Sequence, residues 1–153
     1  MENFNQFRFP AMPNPKVAVY VVTVRVGDAL RPIYVGKTET SLRARMGHYM
    51  VSSIHTAADF VVGKAIALFQ EKGIEVVICY KDSTNPSADE IFYRQEFRNR
   101  GERLLDFFPK YSGLDGCSAV TVGSLKEDKG KKCLTNLERF VAEIAACPAR
   151  MNR

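Results

Sequence analysis

Two tyrosines, a lysine and an arginine in the first third of the chain form its most informative polar pattern. Tyr20 falls in an apolar, β-branched segment, and the run Tyr34-Val35-Gly36-Lys37 closes the next such segment. Arg45 and Tyr49 follow four residues apart, a spacing that places them on one face of a helix. Gly36 would let the backbone turn tightly and approach another group closely. Two phenols, a guanidinium and an ammonium group held together would suit a phosphate ligand.

Three short motifs in this region resemble those of the GIY-YIG nuclease family. The family's first motif reads Gly-Ile-Tyr, and here Ala18-Val19-Tyr20 keeps the tyrosine but not the glycine. The second motif, Tyr-Ile-Gly, is matched by Tyr34-Val35-Gly36. The family arginine is commonly the second in Leu-Arg-x-Arg, so Leu42-Arg43-Ala44-Arg45 selects Arg45. The resemblance covers roughly residues 17–80 and 134–153.

The resemblance implies a metal-dependent endonuclease that hydrolyses phosphodiester bonds of DNA. It further implies one divalent ion, Mg²⁺ or Mn²⁺, bound by a single glutamate, and hard oxygen ligands with retained waters suit Mg²⁺. In the family this glutamate lies on the last core helix, with a proline and an asparagine after it. Glu138 opens the last predicted helix here, and Pro148 and Asn152 follow. Glu138 is therefore the expected metal ligand.

Two other glutamates remain alternatives to Glu138 as the metal ligand. Glu90 and Glu96 lie on the helix predicted directly after the third strand, where the family glutamate often sits. That helix leads to Pro109-Lys110-Tyr111-Ser112, with serine where the family has asparagine.

The resemblance also implies roles for the motif residues. Arg45 would pair with the scissile phosphate, and Tyr20 would activate or orient the attacking water. Tyr34 and Lys37 would position phosphate or water. The hydrogen-bond network would be completed by Tyr49 and Asn152.

Three further residues are expected to contact the substrate. The family often has His or Tyr four residues after its arginine, and this position is Tyr49, with His48 one residue earlier. Two roles are open for His48: a contact to phosphate, or a hydrogen bond to a nearby group of the protein. The substrate-binding candidates are Gly36, Arg43 and His48.

A β-hairpin followed by a helix would bring the motif residues together. Val17 to Val26 and Ala29 to Val35 have strand composition, and Gly27-Asp28 supplies the turn. Pro32 indicates an edge strand or a bulge. Thr40 or Ser41 would cap the helix, which runs to about Met50. The other predicted elements are helices over 56–71, 88–100 and 134–146, an apolar strand over 74–80, a short strand-like piece over 119–122 and a charged loop over 126–132.

These elements predict an α+β fold in a single domain spanning residues 1–153. We expect a small, mainly antiparallel sheet of three strands flanked by helices. Residues 1–16 would form an extended arm that docks on the body, and about 83–131 would form an insertion of helix and loop.

Composition and charge narrow the class of protein. Apolar residues make up 46% of the 153, enough for an ordinary core, and no apolar run approaches the roughly 18 residues of a membrane span. The N-terminus lacks a secretory pattern, so we expect a cytoplasmic protein without a membrane partner. Lys plus Arg exceeds Asp plus Glu by 22 − 17 = 5, which favours a polyanionic partner such as DNA. The four cysteines lack CxxC or zinc-finger spacing, which indicates buried free thiols.

Two other functions compete with the nuclease hypothesis. One is a degraded module of the same family that only binds nucleic acid, which should lack the metal ligand or the arginine. The other is an interaction domain with a chance motif. A homo-oligomer is compatible with the nuclease hypothesis, since double-strand cleavage with one site per chain would require two chains.

Overall fold

The structure, a computed structural model, describes residues 3–7, 14–50, 57–105 and 128–146. Of these, the residues up to Met46 and those from Glu75 to Leu104 form one compact unit. The residues from Gly47 to Ile74 and from Leu105 to Ala146 form a second unit. Each unit has its own buried residues.

The predicted hairpin forms the centre of the first unit. Strand β2 (Ala18–Val26) pairs antiparallel with β3 (Ala29–Thr38). Gly27 turns the chain with φ of 64°, in the left-handed region that glycine adopts without steric cost. The register shifts between Val22 and Thr23, opposite Pro32, and β3 lies at the sheet edge. Pro32 therefore lies both on an edge strand and next to a bulge, the two positions in a sheet that tolerate its missing N–H group.

The sheet has four strands, so the prediction of three was wrong. Strand β4 (Val76–Asp82) pairs with β2, and the short strand β1 (Asn5–Phe7) adds to the other edge of β4, all antiparallel. The Phe7 ring is buried and packs edge-on against the Tyr80 ring with centroids 6.3 Å apart. Residues 5–7 belong to the expected arm, and they dock as a strand because β4 would otherwise expose unpaired backbone groups.

Helix α3 (Pro86–Asn99) covers one face of this sheet. It begins where Asn85 accepts a hydrogen bond from the Ala88 N–H, with Pro86 in the first turn, two residues before the helix predicted over 88–100. This part of the predicted insertion therefore belongs to the core of the first unit. The residues that pack together here are Val19, Val21, Val35, Phe97 and Leu104.

The other helices are α1 (Leu42–Met50), α2 (Ala57–Glu71) and α4 (Asp128–Ala146). Within the second unit α2 and α4 contact each other and bury, among others, Phe69 and Phe140. The charged run 126–132 was predicted as a loop, but α4 already begins at Asp128. Lysine is a good helix former, and an acidic residue suits a helix N-terminus, so the amphipathic helix extends into this run.

Several sequence expectations fall outside the described residues. These are the strand-like piece over 119–122 and the ends of the arm and of the insertion. Cys79 is a buried free thiol, as expected. No helix in the described part of the chain is both long and apolar enough to cross a membrane.

Truncating Phe7 tests whether β1 pairs with the sheet. We expect Phe7→Ala to lower the free energy of unfolding by about 3 kcal/mol, because it removes a buried ring from the edge of the core. The exposed neighbour Asn5 is the control, and Asn5→Ala should change the value by less than about 0.5 kcal/mol. Denaturant unfolding measures both, and equal stability of Phe7→Ala and wild type would contradict the pairing.

Candidate phosphate-binding site

Tyr20 and Arg45 meet in the first unit. Residues along a strand point alternately to opposite faces, so Tyr20 points away from the face that α3 covers. The Tyr20 phenol oxygen accepts a hydrogen bond from Arg45 Nε at 3.2 Å, and Tyr20 is fully buried. The predicted neighbourhood of the first-motif tyrosine and the α1 arginine is therefore present.

Gly36 lies directly across from Tyr20 in the β2–β3 pairing. A methyl group built on Gly36 would overlap the Tyr20 phenol, approaching its Cζ to 2.5 Å, and would lie 2.9 Å from Cε2 of Tyr34. The two tyrosine rings have centroids 6.4 Å apart. Glycine is thus required here because both rings occupy the space that a side chain would fill.

Lys37 joins β3 to helix α3. Its Nζ donates to Ser87 Oγ at 2.6 Å and lies 3.3 Å from the Glu39 carboxylate. Helix α3 is held to the same strand further along, where Arg94 Nη2 donates to the Val35 carbonyl at 3.1 Å. Ser87, Glu90 and Arg94 share one side of α3 because their spacings are three and four residues.

Glu90 occupies the middle of this charged group. Its side chain is 19% exposed and lies 3.5 Å from Arg94 Nη2. Burial raises the pKa of Glu90 above its ordinary value, although the charges of Arg94, Lys37 and Arg45 each lower it. The loss of hydration therefore outweighs the attraction of three cations, and the charged form of the carboxylate is less stable here than in water.

The predicted metal ligand Glu138 is not in this unit. It lies on α4 in the second unit, where its side chain is exposed. Glu96, the other alternative, is on α3 but about 1.7 turns from Glu90, so it points to a different side of the helix. Its carboxylate lies 3.9 Å from Arg100 Nη2. Glu90 lies in the same unit as the Tyr20–Arg45 pair, and the charge of Arg45 lowers its pKa.

The remaining predicted residues are placed as follows. Tyr49 is buried on the last turn of α1, in the second unit. Arg43 is exposed, and its backbone N–H donates to Asn14 Oδ1 at 2.9 Å. The side chain of His48 and the whole of Asn152 lie outside the described residues.

Ser87 and Arg94 belong to the site but were not predicted site residues. The sequence does indicate that Glu90 and Arg94 share one helix face, because they are four residues apart and follow Asn85-Pro86, which favour the start of a helix. It could not show that this side of α3 lies against β3, because that packing depends on residues far away in the chain.

The arrangement suits an oxyanion better than it suits a bare metal ion. Arg94 lies at ion-pair distance from Glu90 and Lys37 from Glu39, and a phosphate would balance the positive charge of both cations as well. The described residues contain no group of three or more histidine, cysteine, aspartate or glutamate side chains able to hold a metal.

Comparisons of the chain with family sequence models, curated proteins and solved structures gave no match in any of the three.

Adding a methyl group at Gly36 tests the contact between the two strands. Gly36→Ala should lower the free energy of unfolding by about 1–3 kcal/mol, because the buried Tyr20 ring cannot move aside without disturbing its neighbours. Gly47 is the matched control, since a methyl group there meets nothing within 4 Å. Gly47→Ala in α1 should be neutral or stabilising by up to about 1 kcal/mol. Equal effects of the two substitutions would contradict the packing described.

Replacing Glu90 by glutamine tests the burial of its charge. Because its pKa is raised in the folded protein, the folded state binds the proton more tightly than the unfolded state, and wild-type stability falls as pH rises through the folded pKa. Glutamine resembles the protonated acid, so Glu90→Gln should melt at a higher temperature than wild type at neutral pH. This gain should disappear as pH falls through the folded pKa. Thermal melts across pH measure it, and a destabilised variant at neutral pH would contradict the assignment.

Proposed function

We propose that this protein is a metal-dependent endonuclease that hydrolyses phosphodiester bonds of DNA, with its site in the first unit. One observation carries the proposal. Arg45 donates a hydrogen bond to the buried Tyr20, and its charge, like those of Arg94 and Lys37, lowers the pKa of Glu90. These side chains come from α1, β2, β3 and α3, and their types match the needs of phosphate hydrolysis.

Arg45 is the residue proposed to bind the scissile phosphate. Its Nε donates to Tyr20, which fixes the plane of the guanidinium group, and a planar guanidinium group matches the geometry of phosphate oxygens. Lys37, 38% exposed, adds a second positive charge on the same strand as Gly36. Together they would offset the negative charge that grows on the phosphate oxygens in the transition state.

Tyr20 is proposed as the group that orients Arg45. Its side chain is fully buried, so the phenol oxygen meets the arginine and no bulk solvent. This geometry supports the orientation of Arg45 more directly than the activation or orientation of the attacking water, which is the role that the family resemblance implies for Tyr20. A water molecule would reach the phenol only if the covering side chains moved.

Glu90 is proposed as the metal ligand in place of Glu138. Mg²⁺ commonly binds through one or two carboxylates together with substrate phosphates and waters, so the ion would bind Glu90 together with a phosphate whose negative charge offsets the neighbouring cations. The bound ion would supply an activated water and relieve charge on the leaving oxygen. Arg94 would keep the Glu90 carboxylate aimed toward β3, since it lies within 3.5 Å of Glu90 and also donates to the Val35 carbonyl.

A protein that binds nucleic acid without cutting it is the second candidate. Two observations favour it: Arg94 lies within ion-pair distance of Glu90, and Tyr20 is closed to solvent. Binding would then use the cations of the site and the overall charge of +5. The third sequence hypothesis, an interaction domain, predicts no DNA binding at all.

A plasmid cleavage assay tests the proposal. Wild type with Mg²⁺ or Mn²⁺ should cut DNA, and a chelator should stop it. Arg45→Ala should lower the rate by at least about a hundredfold, because it removes the group that pairs with the transition-state charge.

Arg25→Ala is the matched control for this assay. It removes the same charge, but Arg25 pairs with Glu75 at 2.9 Å near the hairpin end of β2. It should keep the wild-type rate. DNA binding without cleavage under any metal condition would favour the binding-only candidate, and the absence of both would refute the proposal.

A further inference from the structure

We infer that Asn14 is a positioning residue that sets the place of Arg45 by clamping the start of helix α1. This inference rests on the proposed function for its effect on cleavage. The observation behind it is a set of hydrogen bonds between residues 14–15 and the first turn of α1, which lies 27 to 29 residues later in the chain.

The first turn of an α-helix leaves its N–H groups without partners inside the helix. Segment 14–15 supplies two of these partners. The Leu42 N–H donates to the Pro15 carbonyl at 2.9 Å, and the Arg43 N–H donates to Asn14 Oδ1 at 2.9 Å. The helix start is therefore held by residues outside the helix.

The Asn14 side chain also holds the capping residue. Its Nδ2 donates to Ser41 Oγ at 2.8 Å, and the same Ser41 oxygen accepts from the Ala44 N–H at 3.1 Å. On its other side Ser41 donates its N–H to Thr38 Oγ1 at 3.1 Å, at the end of β3. The Asn14 side chain thus bridges the cap residue Ser41 and the first turn of α1, while Thr38 at the end of β3 also holds Ser41.

Arg45 is one turn beyond this clamp. Its N–H donates to the Ser41 carbonyl at 3.1 Å, and its side chain reaches the Tyr20 phenol. A displacement of Ser41 would therefore move Arg45 relative to Tyr20. Because catalysis depends on the placement of charged groups to within about an ångström, loss of the clamp should affect turnover more than DNA affinity.

The clamp has a second consequence for phosphate binding. The N-terminus of a helix commonly binds anions through free N–H groups. In α1 the N–H groups of residues 42–45 are all used by the clamp, the cap or the helix. Phosphate recognition near α1 therefore has to come from side chains, and this makes the position of Arg45 more important.

The Arg45 Nε–H signal in ¹H–¹⁵N NMR tests the inference without relying on activity. The signal is assigned by its absence in Arg45→Lys. In Asn14→Ala we expect it to move toward the position of an exposed arginine, and in Asn14→Asp to stay, because a carboxylate still accepts from the Arg43 N–H. Asn14→Gln, with the same groups on a longer stem, should shift it as well and serves if the alanine variant does not fold.

Asn85→Ala is the matched control, since it also removes an asparagine that caps a helix, here α3. Its Arg45 signal should stay at the wild-type position despite a similar loss of stability. In cleavage assays Asn14→Ala should lower kcat by about tenfold or more with KM unchanged. An unmoved Arg45 signal in Asn14→Ala, or an equal shift in Asn85→Ala, would overturn the inference. A wild-type protein without nuclease activity would refute the proposed function and leave the NMR result to decide the clamp.

Discussion

The contact between the Tyr20 ring and the bare backbone of Gly36 is the constraint on which the site depends. Because position 36 has no side chain, a buried phenol can lie across β3 with its oxygen directed at α1. Arg45 then takes up the hydrogen bond. A larger residue at position 36 would displace the ring, and with it the acceptor that fixes the guanidinium group. The glycine of the second motif and the tyrosine of the first motif therefore depend on each other.

The carboxylate of the candidate site, Glu90, is on α3. Glu90 loses hydration against the sheet, and the nearby cations recover only part of that loss. Carboxylates whose charged form is destabilised in the folded protein are common at functional sites, because a bound ligand can supply the stabilisation that the protein lacks. Two hydrogen bonds attach α3 to β3, one from Lys37 to Ser87 and one from Arg94 to the Val35 carbonyl. The strand that carries the second motif therefore also fixes the position of Glu90 on α3.

Local signals in the sequence predicted much of this fold. The hairpin with its turn at Gly27, the helix cap at Ser41 and the edge position and bulge at Pro32 are each decided by residues close in sequence, and all are confirmed. The fourth strand was missed because residues 5–7 acquire strand pairing only from β4, more than 70 residues later. The early start of α4 was missed because a run of charges has no apolar period to mark it.

The same distinction between local and distant contacts applies to the site. The sequence motifs predicted that Tyr20, Gly36 and Arg45 lie together, because a hairpin and the following helix are neighbours in any such fold. The choice among glutamates depends on which helix packs on β3, and no spacing in the sequence encodes that. The clamp by Asn14 is likewise invisible in the sequence, since its partners lie 27 and 29 residues away.

The most direct test of the account is a comparison of Glu90→Gln with Glu138→Gln in metal-dependent DNA cleavage, at equal concentrations of folded protein. Both substitutions remove one negative charge and keep the size of the side chain. We expect Glu90→Gln to lose cleavage and Glu138→Gln to cut at the wild-type rate. Full activity in Glu90→Gln together with loss of activity in Glu138→Gln would contradict it.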